Sequence, residues 1–127
     1  MSLVQIEIKK ASQDVLRLFK DALNDYASFL QTMIEMEGQR NTENFQIKLS
    51  IVVELFYDLH KKTEKQIPSK KPGLKLPLHK AIVLKDALRD LLSQKSTEPL
   101  DRSRATKYYQ AIDQELPTNK LIISQAG

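Results

Sequence analysis

"VLRLFKDALNDYASFLQTM" occupies residues 15–33, and its spacing sets the fold class. Leu16, Phe19, Leu23, Tyr26, Leu30 and Met33 recur alternately three and four residues apart. That is a heptad-like stripe along one face of an α-helix. Val15, Ala22 and Phe29 widen the stripe on one flank, and Asp14, Asp21 and Asp25 fall on the opposite side. Gly38 supplies a C-terminal stop, because glycine adopts the left-handed conformation that closes many helices.

Upstream, the pattern supports two readings. Val4, Ile6 and Ile8 alternate as in a half-buried strand. Val4, Ile8, Ala11 and Val15 equally fit helical spacing, and no partner strand stands nearby in the sequence. The preferred expectation is therefore one continuous helix from about residue 3, roughly 50 Å long.

Downstream the same periodicity returns three times. A second helix is expected from about Glu43 to Gln66, capped by Asn41 or Thr42, with Phe45, Leu49, Val52, Phe56 and Leu59 as its core stripe. Ile51, Val53 and Leu55 broaden its apolar arc, as befits a helix with more than one neighbour. Pro77 suits the first turn of a third helix, where its missing N–H costs nothing. Ala81, Leu84, Leu88 and Leu91 form that helix's stripe, which ends near Gln94. A fourth, from about Leu100 to Leu116, buries Ala105, Tyr109, Ile112 and Leu116 and is stopped by Pro117. Short connections between helices favour antiparallel neighbours, so the expected fold is all-α: an antiparallel, up-down-up-down four-helix bundle. The helical domain covers 1–117, and 118–127 form a tail carrying Leu121, Ile122 and Ile123. A first helix that overhangs its neighbours and an apolar tail both suggest a homodimer or a protein partner.

Composition closes off several chemistries. The chain of 127 residues has no cysteine, which excludes disulfides, thiolate catalysis and cysteine-ligated metals. Only three glycines are present, so no Gly-rich phosphate cradle can be built. No apolar run approaches the ~18 residues of a membrane span, and the N-terminus lacks a signal-peptide pattern. A cytoplasmic location is the expectation.

Three acid pairs stand four residues apart: Asp21 with Asp25, Glu54 with Asp58, and Asp86 with Asp90. All-helical pyrophosphohydrolases hold magnesium with Glu-x-x-Glu and Glu-x-x-Asp, a spacing these pairs do not match. Helical projection also puts the second and third pairs on outer faces, beside cations such as Lys62 or Arg89. A magnesium-dependent nucleotide hydrolase is accordingly the least favoured reading, and no metal or cofactor is implied. His60 and His79 lack a third ligand in register, and no arginine stands where helical ribonucleases place one before histidine. Tyr108–Tyr109 reads as one core and one boundary tyrosine rather than as a stacking platform for bases.

The remaining feature is basic. Residues 61–80 carry seven lysines and one acid, so a chain of net charge +4 is +6 there and −2 elsewhere. Lys70, Lys71, Lys75 and Lys80 are the candidate anion-binding residues, next to the exposed N–H groups of the third helix. The segment has no arginine and no aromatic residue for base recognition. Leu74, Leu76 and Leu78 alternate with Lys75 and Pro77, so one side of this connector should lie on the bundle and close it. The function that fits best is a non-enzymatic, self-associating interaction module. The alternative is nucleic-acid or other polyanion binding through 61–80.

Overall fold

A computed structural model describes residues 5–9, 11–37, 42–65, 73–95 and 97–116. Among these residues the structure is mostly helical, with four helices and one small sheet. Strand β1 (Gln5–Ile8) precedes α1 (Gln13–Glu37) and α2 (Glu43–Lys65), and strand β2 (Leu74–Pro77) leads directly into α3 (Leu78–Leu92), followed by α4 (Pro99–Glu115).

The continuous helix expected from about residue 3 is thus corrected to a strand over Gln5–Ile8. β1 pairs antiparallel with β2, matching Ile6 to Leu76, Glu7 to Lys75 and Ile8 to Leu74. All four apolar members are buried, while Glu7 and Lys75 face solvent as a cross-strand pair of opposite charge. A two-stranded ribbon is too small to stand alone, and this one rests on α3 and α4. The Glu115 carboxylate, at the end of α4, accepts a hydrogen bond from the Glu7 backbone N–H.

Ser12 explains why α1 starts ten residues later than expected. Its hydroxyl accepts from the Val15 N–H at 3.3 Å and its carbonyl from the Leu16 N–H at 2.9 Å, an N-cap that separates strand from helix. At 25 and 23 residues, α1 and α2 are about 37 and 34 Å long, so α1 exceeds its hairpin partner by only about 3 Å. The Leu alternation does lie on the body, as expected, but within a strand. Leu74 and Leu76 are buried in the core, and Leu78 opens α3. Pro77 closes β2 and caps α3 instead of occupying its first turn.

The core draws on every element. Leu16, Phe19, Leu23 and Leu30 of α1 meet Val52, Leu55 and Leu59 of α2 and Leu84 and Leu88 of α3. From α4 come Ala105, Tyr108 and Ile112. Here the tyrosine assignment reverses. Tyr108 is buried, edge-on to Phe19 with centroids 5.3 Å apart, while Tyr109 sits at the boundary under Lys85 and Arg89. The α3–α4 corner is held by side chains that satisfy carbonyls left over at the end of α3. Arg102 donates to the Leu92 and Gln94 carbonyls, and the Thr97 hydroxyl donates to that of Leu91.

Candidate functional site

The four candidate anion-binding lysines do not share one environment. Lys75 is exposed on β2, opposite Glu7. Lys80, on the first turn of α3, reaches back to α2, where its ammonium lies 2.6 Å from Asp58 Oδ2 and 3.0 Å from Glu54 Oε1. Its side chain is 12% exposed. Burial alone would lower its pKa, but the hydrogen bonds to Asp58 and Glu54 and their charges raise it above 10.5. Lys80 is therefore a neutralised strut between α2 and α3. Lys70 and Lys71, and the proposed interface residues Leu121, Ile122 and Ile123, lie outside the described residues.

The acid pairs also find partners different from those expected. Glu54 and Asp58 share Lys80 rather than Lys62, and Asp86 meets Lys48 of α2 at 3.5 Å rather than Arg89. Asp86 and Asp90 do not point fully to solvent. Both are half-buried and line an open cavity of about 300 Å³ with Tyr26, Lys48, Arg89 and Ser93. Arg89 is drawn aside to the Tyr109 hydroxyl at 3.2 Å. Tyr26 is only 7% exposed, yet its hydroxyl makes no hydrogen bond to any described residue. Burial, then the Asp86 and Asp90 charges, push its pKa up to about 12, so at neutral pH it is a phenol and not a base.

An adjoining cavity of about 350 Å³ continues the seam between α1 and the α3–α4 corner. Asp21, Asp25, Glu98 and Asp101 line it. Burial and then Asp25 raise the pKa of Asp90, and burial followed by Asp25 and Asp101 raises that of Asp21. Together the two cavities form a net acidic seam, six carboxylates against the two cations Lys48 and Arg89. Among the described residues no three His, Asp or Glu side chains are grouped so as to hold a metal ion. Sequence reasoning missed this seam because Asp101 and Glu98 approach α1 only through the α3–α4 corner.

Beyond the seam lies an end that no described residue covers. Ser93, at the end of α3, sits with Tyr26 and Lys48. Past that level α1 continues through residues 27–37, about 16 Å further. Only Leu30 of those residues is buried. At 100° per residue, Phe29, Met33 and Met36 continue the side of α1 on which Leu18, Ala22 and Tyr26 meet α3. Ile47 continues the corresponding side of α2. Phe29 is 45% exposed, Met36 75% and Ile47 59%. The Phe29 ring stacks on that of Tyr26, joining the apolar surface to the seam.

The histidines do not come together. His60 stacks on Phe56 and its Nδ1 lies 3.0 Å from the Lys20 ammonium, while His79 is exposed on α3. Among the described residues no helix is long and apolar enough to cross a membrane. The chain matches no family model, no curated protein and no solved structure.

Proposed function

We propose that this protein is a non-enzymatic helical-bundle module, its helices in up-down-up-down order, that self-associates through the uncovered end of the α1–α2 hairpin. The observation that carries this reading is the exposure of Phe29, Met36 and Ile47 on the side of the hairpin that α3 covers elsewhere. Single exposed apolar residues need no explanation, but a contiguous set continuing a core-facing side is costly to leave in water. The helix order is supported by the pairs that join α2 to α3: Lys48 to Asp86 and Asp58 to Lys80 run in opposite order along the two helices.

Sedimentation of the full chain over a range of concentrations tests the reading. Self-association that weakens on changing Phe29, Met36 and Ile47 to Gln supports it, and a protein that stays monomeric at high concentration overturns it.

The second reading is polyanion binding through 61–80. Exposed Lys61, Lys62 and Lys75 favour it. Retention on heparin that collapses with salt and is lost when Lys70, Lys71 and Lys75 become Gln would support this alternative.

A further inference from the structure

The apolar end by itself is a small surface. Its partly exposed side chains offer on the order of 300 Å² per copy, given the 150–250 Å² that large aromatic side chains bury. Two such patches face to face fall short of the ~1,200 Å² of a stable interface. Whatever docks there must use neighbouring surface as well, and the neighbouring surface is the acidic seam. The Tyr26 hydroxyl, which makes no hydrogen bond to a described residue, also belongs to this seam. A partner is therefore required to be apolar at one end and cationic at the other.

The same chain presents such a face. On the outer side of α2, Val53, Tyr57 and Lys61 stand four residues apart and form one stripe. Val53 is 44% exposed and Tyr57 58%, and Lys61 is exposed with Lys62 beside it. From Val53 to Lys61 the stripe runs about 12 Å along the helix, and from Met33 back to Tyr26 the facing surface runs about 10 Å. Both therefore change from apolar to charged over the same distance.

We propose that α2 of one copy docks by this stripe on α1 of the next, with Tyr57 against Phe29 and the Lys61 ammonium in the seam beside Tyr26, Asp25 and Asp90. This rests on the self-association reading and gives it an orientation. The contact is heterologous: each copy offers a donor stripe and an acceptor seam on different sides of one hairpin. Assembly then proceeds head to tail and does not stop by symmetry at two. It also assigns part of the basic segment a polyanion, namely the acidic seam of another copy. Because the pairing is charge-assisted, it weakens as salt screens it.

Two full-length variants test the orientation by sedimentation at low and high salt. One carries Asp21→Lys with Asp25→Lys, the other Lys61→Glu with Lys62→Glu; all four positions are exposed. Unchanged far-UV circular dichroism establishes that each has folded. The expected result is that each variant alone associates at least about tenfold more weakly than the original chain, because its stripe and seam now carry like charge. An equal mixture regains association, since each supplies what the other lacks. If either variant alone associates as tightly as the original, the orientation is wrong while self-association stands. If the original chain never associates, both readings fall.

Discussion

Replacing Lys80 by methionine keeps most of the aliphatic stem and removes the charge that joins α3 to α2. The original side chain makes two short ion-pair contacts, at 2.6 Å with Asp58 and 3.0 Å with Glu54. The carboxylates are 46% and 62% exposed, so water screens them, and each contact belongs at the upper end of the surface range, about 1 kcal/mol. Without Lys80 the two acids also repel one another across one helical turn, adding a few tenths of a kcal/mol. Release from the cost of holding a mostly buried ammonium offsets part of the loss. A net destabilisation of about 1–2 kcal/mol follows. For a chain of this size that lowers the melting temperature by roughly 4–8 °C. Differential scanning calorimetry at neutral pH measures it. The raised Lys80 pKa gives this contribution a limit at the alkaline end. Its contribution is complete below 10.5 and is lost as pH rises through the higher folded value. Retention on heparin should be unchanged, since this ammonium is already neutralised. A variant that melts like the original, or that loses heparin retention, would refute the assignment of Lys80 as a strut.

Phe19→Ala should cost about 3–5 kcal/mol in chemical denaturation, because Phe19 is fully buried and its removal also strands the edge-on contact with Tyr108. Loss of less than 1 kcal/mol would contradict that packing. Spectrophotometric titration should show one tyrosine ionising near 12, and Tyr26→Phe should abolish that transition. Because the folded value lies above the ordinary 10.0, the neutral phenol's contribution is whole below pH 10 and is lost between there and about 12.

The helices were legible because their cause is local. A stripe such as Leu16, Phe19, Leu23, Tyr26 and Leu30 encodes a buried face within one element, and all five residues are buried. Where two residues competed for one face, local spacing failed. Tyr108 and Tyr109 differ by one position, and which ring enters the core was fixed by Phe19 on another helix. Ser12, a residue type that favours helix N-caps, stands beside the ambiguous alternation and marks where α1 starts.

The sequence alone determined that four amphipathic helices would form and that Leu74 and Leu76 would turn toward an apolar surface. Only the tertiary structure decided that residues 5–8 are strand, since the hydrogen-bonding partner of Ile6 is Leu76, seventy positions away. A strand cannot satisfy its own backbone as a helix can, so its identity belongs to the pair. The same holds for the charges. Lys80 looked free beside other lysines until folding set it between Glu54 and Asp58, and Asp21, Asp25, Asp90 and Asp101 became one seam only when α3 and α4 closed on α1. Side-chain charge is written in sequence, but the field it experiences depends on distances that only packing supplies.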